Sequence, residues 1–406
     1  MDSPIVGIVL SGGGARGAYE VGVLSGLCEA LGHARGDPPP FRVVAGTSVG
    51  AINGAWVVAN ANCGDHGIEG LADVWRGLSL KDHLRVDLLG LLGWTSPLRF
   101  LRKPRRGDLA ERFGRSVLDP TALEKLVERV IDWRSLHANI DAGVVRAFVV
   151  AALHIGTGVT TLFTEMAPGV SFHPSRHPRR VAKRGRIQAE HVLASAAIPA
   201  LFPARRIGLS YFVDGGLRFN TPIAPAIRAG ADKLVVVSLR PQAEGPPDVD
   251  TAGVSESYPS PVFLAGKLLN ALLLDPVEYD LQVLHGFNRV MDVLDATLAG
   301  PDRARFDAAL VKERGMSYRN IDTLVFEPSR SISVMAGVHL RDHGGQWQVG
   351  RFYDWLLSRA ALTEATWEAD LASYLMFDGS WAERLIELGR DDALARRDEI
   401  RAFFGK

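Results

Sequence analysis

The first sixty residues constrain the fold most. Ile5-Val6-Gly7-Ile8-Val9-Leu10 is a short β-branched run without polar alternation, the pattern of a strand buried on both faces of a parallel sheet. Ser11-Gly12-Gly13-Gly14-Ala15-Arg16-Gly17 ends it, and apolar residues then recur at helical spacing over Ala18–Leu31. Phe41-Arg42-Val43-Val44-Ala45 predicts a second strand. Gly46-Thr47-Ser48-Val49-Gly50 follows, and Ala51–Asn60 reads as a helix of mostly small residues. Strand, helix, strand and helix in that order require a parallel sheet with right-handed crossovers, hence an α/β architecture.

The pattern continues downstream. Val144–Leu153, Val159–Phe163, Ile207–Val213 and Leu234–Leu239 predict further strands. Thr121–Glu124 is a capping box that opens a short helix, Gln188–Ala197 predicts a helix stopped before Pro199, and another runs from Thr221-Pro222 to Gly230. Pro241–Pro261 is polar and rich in Pro, Gly and Ser, the best boundary in the chain. Residues 5–240 therefore predict one α/β domain, 241–261 a linker, and 262–406 a helix-rich region packed on the core. In the last part lie a long helical stretch (Val262–Leu298), a strand (Asp322–Phe326) and a helical tail (Trp347–Phe404).

Composition narrows the function classes. Apolar residues make up 47% and charged residues 23% of the 406, which excludes a disordered chain. Forty-six basic residues balance 46 acidic ones, so no global field draws the protein to nucleic acid, and none is expected as a partner. Cys28 and Cys63 cannot make a disulfide framework and lack the companions of a zinc site. No cofactor and no metal are expected. Met1-Asp2-Ser3-Pro4 has no basic region, Ile5–Leu10 is too short for a signal peptide, and no stretch approaches the ~18 apolar residues of a membrane span. A cytoplasmic protein is expected, one that at most rests on a membrane surface.

Three short segments carry chemistry. Gly46–Gly50 fits G-x-S-x-G in its required context, between a strand and a helix. The glycines let the turn tighten and lift Ser48 to the helix N-terminus, where the dipole favours developing negative charge. Taken alone, the pentapeptide fits an ordinary turn equally well. Gly12-Gly13-Gly14 with Arg16 exposes consecutive N–H groups at a strand end, an anion nest. Gly12-x-Gly14-x-x-Gly17 also matches the dinucleotide fingerprint, but the acidic residue this needs after the second strand is absent, and Ala45-Gly46-Thr47 stands there. No G-K-[ST] follows, which excludes a P-loop. The same nest can serve as an oxyanion hole. Asp214, before Gly215-Gly216, fits either a turn residue or a carboxylate that accepts the Ser48 proton. In the second role it needs burial, because a carboxyl of pKa ~3.9 is a poor base at neutral pH.

Together, Ser11–Gly17, Gly46–Gly50, Ala194-Ser-Ala-Ala-Ile-Pro-Ala-Leu-Phe-Pro203 and Asp214-Gly-Gly216 resemble the patatin-like phospholipases, in the family's order and over about residues 5–240. The resemblance implies a three-layer α/β/α sandwich with a mainly parallel sheet. It implies a Ser48–Asp214 dyad, an oxyanion hole at Gly12, Gly13 and Gly14 beside Arg16, and supporting roles for Gly17, Gly46, Gly50, Gly215 and Gly216. The implied substrate is a phospholipid or lysophospholipid. Two alternatives stay open: a catalytically idle binding or scaffold relative, and a Ser-His-Asp esterase using His285 or His339, which follow Asp214 in the chain.

Two basic stretches bear on partners. Arg176, Arg179, Arg180, Lys183, Arg184 and Arg186 read as a solvated surface loop. In residues 84–106, Leu88, Leu89, Leu92 and Trp94 precede Arg99, Arg102, Lys103, Arg105 and Arg106, which suits a peripheral membrane contact or a pair of core helices. Oligomerisation is left open.

Overall fold

Val9 and its neighbours Ile8 and Leu10 are fully buried on opposite faces of one strand, so the sheet that contains them is covered on both sides. The structure, a computed structural model, describes residues 4–34, 37–62, 67–79, 85–86, 118–119, 121–199, 201–242, 261–273, 275–342 and 369–406. Most of the candidate membrane segment 84–106, most of the linker 241–261, the start of the tail at Trp347 and Cys63 lie outside them.

The chain opens as its sequence predicts: β1 (Val6–Leu10), a 3-10 turn (Gly14–Gly17), α1 (Ala18–Ala30), β2 (Val43–Thr47) and α2 (Val49–Ala59). Then come α3 (Gly67–Arg76), the small pair β3 (Arg85–Val86) and β4 (Leu118–Asp119), α4 (Thr121–Val130) and α5 (Trp133–Asp141). The sheet resumes with β5 (Ala147–His154), β6 (Val159–Met166) and β7 (Arg180–Arg184), followed by α6 (Ala189–Ser195), β8 (Arg205–Ile207), β9 (Ser210–Asp214), α7 (Ile223–Arg228) and β10 (Lys233–Val237). The C-terminal part holds α8 (Pro261–Leu273), α9 (Asp275–Thr297), α10 (Gly300–Arg314), β11 (Asp322–Phe326), α11 (Ile332–Asp342), α12 (Ala369–Leu375), α13 (Gly379–Leu394) and α14 (Arg397–Phe404).

The nine-stranded sheet runs β11-β10-β1-β2-β5-β6-β7, with β9 paired to β5 and β8 to β9. β11, β10, β1, β2 and β5 are parallel, and β6 and β9 run antiparallel to β5. Ile8, Leu10, Val44, Phe148, Val150 and Val235 face one core with α1, α2, α3 and α13. Val9, Val43, Ala45, Val149, Leu234 and Val236 face the other, with Ile223 and Ala226 of α7 and Leu281 and Leu284 of α9. This is a three-layer α/β/α sandwich, and each Val, Ile or Leu so buried contributes about 1.5–3 kcal/mol.

Three expectations need correction. Ile207–Val213 is a hairpin rather than one strand, because Gly208 takes φ 60° and turns the chain between β8 and β9. Val262–Leu298 is two helices; Pro276 lacks the N–H that a helix interior needs and sits in the first turn of the second. The basic run read as a surface loop contains the edge strand β7, paired to β6 alone. An edge studded with Arg and Lys resists further strand pairing, so the charge pattern that hid the strand also protects it.

The C-terminal region supplies part of the sheet as well as a cover. β11 extends it beyond β10 in register, Lys233 opposite Asp322 and Val237 opposite Phe326. α13 lies so close to α1 that a Cβ on Gly22 would run into the Ile386 carbonyl, and one on Gly389 into the Tyr19 carbonyl.

Candidate active site

The sheet topology alone sets two strand ends face to face. Along one edge of β5, residues 147–151 pair with β2, ending at Thr47 opposite Ala151. The next residue, Ala152, pairs with Asp214, the last residue of β9. Ser48 follows Thr47, so Ser48 and Asp214 emerge side by side although 166 positions separate them. Ser48 and the glycine loop stand at the carboxyl ends of β2 and β1, where β1 has β10 on one side and β2 on the other, the usual ligand position in such sheets.

Ser48 has φ 55° and ψ −129°, and among the described residues no other non-glycine has positive φ. A conformation of that kind costs about 1–3 kcal/mol and persists only where the surroundings enforce it. The surroundings are tight. A Cβ on Gly46 would strike the Gly50 carbonyl, and one on Gly50 the Leu10 carbonyl, so both glycines of the pentapeptide are required by close approach. The Ser48 N–H donates to Ser195 Oγ at 2.8 Å, and Ser195 Oγ donates to the Ala151 carbonyl at 2.6 Å. Ser195 thereby ties the elbow to β5. In sequence its segment, Ala194–Pro203, stood out only as a block of the family resemblance, with no role attached to Ser195.

Asp214 is fully buried. Its Oδ1 accepts from the Gly216 N–H at 2.7 Å, and Oδ2 has no hydrogen-bond partner among the described residues. Burial pushes the Asp214 carboxyl up to about 7, and the Ser48 hydroxyl and the Gly216 N–H beside it pull it partly back. No cation contributes. An aspartate poised near neutrality next to a strained serine hydroxyl has the proton affinity expected of a general base.

The glycine loop meets the elbow at Gly12, where an added Cβ would lie 2.9 Å from Ser48 Cβ. The Gly12 N–H is occupied: it donates to Asn220 Oδ1 at 2.8 Å, while Asn220 Nδ2 donates to the Gly12 carbonyl at 3.1 Å. Ser11 Oγ donates to the Val237 carbonyl, and Thr47 Oγ1 to the Phe219 carbonyl. The loops 11–17, 46–50 and 214–221 are thus knitted together, with Asn220 as the bridge, a residue whose sequence carried no signal. With Gly12 engaged, Gly13 and Gly14 offer the loop's next two N–H groups at the strand end. Gly17 packs against the Val49 side chain, Gly215 against the Ala151 carbonyl, and Gly216 between Leu273 and Asn220.

Arg16 is placed differently from its expectation. It is 2% exposed, and its guanidinium meets Ser373 and Asp370 of α12. The histidines also lie elsewhere. His285 Nε2 is 3.2 Å from Thr323 Oγ1, and buried His339 packs on Trp381 with Nε2 3.4 Å from Ser380 Oγ. Among the described residues no histidine hydrogen-bonds Ser48 or Asp214.

Beside the elbow, Val49, Ile52 and Trp56 of α2, Leu71 and Trp75 of α3, and Leu126 of α4 line part of an apolar cleft. Among the described residues no helix is long and apolar enough to cross a membrane.

A family model described as Patatin-like phospholipase matches residues 8–227. Over 57 residues the chain is 46% identical to a protein named Lysophospholipase nte1 from Aspergillus terreus, which is 14% of this chain and 3% of the fungal one. The chain therefore spans only a small fraction of that curated relative. Among solved structures, VipD from Legionella pneumophila is 14% identical, covers 95% of this chain and 67% of its own, and has a TM-score of 0.31. Human GIVD cytosolic phospholipase A2 in complex with methyl gamma-linolenyl fluorophosphonate is 12% identical, with 99% and 58% covered and a TM-score of 0.42. At such scores neither likeness carries weight in the argument. The family model spans more than half of the chain and takes in the glycine loop, the serine elbow and Asp214, and the chain belongs to the patatin-like phospholipase family.

Proposed function

We propose that the protein is a lipid acyl hydrolase that cleaves carboxylic ester bonds of phospholipids or lysophospholipids through Ser48 and Asp214. The observation that carries the reading is the meeting of a strained Ser48 with a fully buried Asp214 whose carboxyl is pushed up to about 7. The apolar cleft beside Val49 supports an acyl chain as the group recognised, since its lining offers no polar atom to a sugar or peptide.

The chemistry needs two steps. Ser48 Oγ attacks the ester carbonyl while Asp214 takes the hydroxyl proton, and the oxyanion accepts the Gly13 and Gly14 N–H groups. Collapse expels the alcohol, which receives the proton from Asp214 and leaves an acyl-Ser48. Water, deprotonated by Asp214, then releases the fatty acid and restores the serine. Neither step uses a histidine. Contact with the bilayer through residues 84–106 belongs to the same reading: Trp94 and the leucines would enter the acyl boundary, and each cation near anionic headgroups would add about 1 kcal/mol.

The test is hydrolysis of a total lipid extract by wild type and Ser48→Ala, read by mass spectrometry of released fatty acids. Release by wild type alone is expected, together with fluorophosphonate labelling that Ser48→Ala abolishes. Equal release by both proteins would remove Ser48 as the nucleophile, and none by either would leave a binding or scaffold role in its place.

A further inference from the structure

Arg16 stands in the glycine loop, yet its side chain serves no step of the proposed reaction. It is one of the largest fully buried side chains among the described residues, and it carries a charge. Its Nε donates to Ser373 Oγ at 2.8 Å, its Nη2 lies 3.2 Å from Asp370 Oδ1, and its guanidinium stacks 3.9 Å from the centre of the Tyr374 ring. All three partners lie on α12, outside the residues that the family model matches. The same helix touches the loop a second time: Gly14 has φ 57°, and a Cβ there would collide with the Tyr374 carbonyl.

Asp370 is the centre of this contact. The Arg16 and Asp370 side chains are 2% and 3% exposed, and Lys267 of α8 brings a second cation to within 3.1 Å of Asp370 Oδ2. Burial pushes the Asp370 carboxyl up, but Arg16, Asn270 and Lys267 outweigh it and hold it below the usual range. α8 also reaches the other half of the site. Its Asn270 accepts from the Tyr374 hydroxyl at 2.8 Å, its Leu273 carbonyl accepts from Asn220 Nδ2, and its Leu273 side chain abuts Gly216 beside Asp214. A buried ion pair seldom adds net stability over apolar packing of the same shape, and what it adds is a defined position. Here that position is that of the glycine loop against α12, and through α8 against the segment that follows Asp214.

We propose that Asp370 is a positioning residue: with Ser373 it grips the Arg16 guanidinium and so sets the glycine loop where its N–H groups face the ester carbonyl at Ser48. The proposal rests on reading that loop as an oxyanion hole. A misplacement of about 1 Å at such a loop lowers a rate by about a hundredfold, which sets the scale of the effect.

The test compares full-length wild type, Asp370→Asn, Asp370→Glu and Ser373→Ala on a short, water-soluble ester. Hydrogen exchange of the peptide covering residues 11–19 is followed in parallel. Asp370→Asn is expected to lower kcat ten- to a hundredfold with KM within twofold of wild type. The acid limb of its pH profile should stay in place, and exchange should rise in the loop peptide while peptides of β5 and β10 are unchanged. Ser373→Ala should show the same pattern more weakly, and Asp370→Glu, which keeps the charge, should recover part of kcat. Unchanged kcat and loop exchange in Asp370→Asn would overturn the proposal. So would an activity loss that follows the folded fraction, with exchange rising throughout the chain. If Asp370→Asn does not fold, Ser373→Ala decides by the same two readouts. Should Ser48→Ala retain full activity, the dyad fails instead, and loop exchange still reports on the brace.

Discussion

Two buried carboxyls, one in each half of the molecule, are shifted in opposite directions by their surroundings. Glu20 of α1 accepts from Asn53 Nδ2 at 2.8 Å and, among the described residues, has no cation beside it; burial pushes its carboxyl well above the usual range despite the Asn53 and Ser11 donors. Asp370 of α12 lies between Arg16 and Lys267, which help hold its carboxyl below the usual range. Asp214 resembles Glu20 in having no cation, yet it sits only near neutrality. The N-terminal half thus shapes its site with backbone geometry and neutral hydrogen bonds. The C-terminal half reaches that site through charge. The lesson is that burial alone does not decide protonation; the nearest compensating groups do.

The sharpest way to break this comparison is at Asp214, where the largest effect is expected. Asp214→Asn should lower kcat by about 10⁴-fold or more while the fold persists. In wild type, kcat/KM should rise with pH to a plateau above about 7, because only the ionised carboxylate can accept the Ser48 proton. Stability runs the other way. With the folded-state pKa above the unfolded one, the native state binds the extra proton between about 4 and 7, so wild type loses stability as pH rises through that window. Asp214→Asn should therefore melt higher than wild type at pH 8, by a margin that shrinks toward pH 4. An advantage that is constant across that range would mean that Asp214 carries no raised pKa.

A smaller effect should separate two neighbouring glycines. Gly13 has φ 176°, open to any residue, and an added Cβ would press on the movable end of Leu239. Gly14 has φ 57° and faces the fixed Tyr374 carbonyl. Gly14→Ala should lower kcat by about 10²–10³, as loss of one oxyanion donor does, and Gly13→Ala should cost clearly less. Steady-state kinetics of the two variants, each checked for folding, would refute the assignment if the order were reversed.

The smallest effect is expected at Glu20. Burial favours the neutral form of Glu20 and an amide of the same shape preserves it, so Glu20→Gln should leave kcat within about twofold and unfolding free energy within about 1 kcal/mol. Asp370→Asn, the same chemical change beside Arg16 and Lys267, should not be so mild. Equal effects of the two, measured by denaturant unfolding and kcat, would erase the contrast between the halves.

Much of the site was legible because it is local. Ile5–Leu10, the glycine run, and Gly46–Gly50 between a strand and a helix obey short-range rules of backbone sterics, and β1, α1, β2 and α2 formed where those rules put them. The glycines of the elbow are explained by the same sterics, since each lies where a Cβ would meet a carbonyl. Less legible were β7, whose Arg and Lys residues mask an edge strand, and the β8–β9 hairpin, whose turn hangs on the φ of Gly208.

What the sequence by itself determined was the set of reactive parts and their local shapes: a serine on a sharp turn, a glycine nest at a strand end, and an aspartate closing a strand. Only the tertiary structure decided that these parts meet. Thr47 and Asp214 come to adjacent positions because β2 and β9 share one edge of β5, a pairing between segments far apart in the chain. It likewise decided that Arg16 faces Asp370, 354 positions away, and that Asn220 bridges Gly12 to Leu273. Strand and turn preferences act over a few residues, whereas these contacts depend on which buried groups remain unpaired once the sheet has closed, and that is a property of the packed chain.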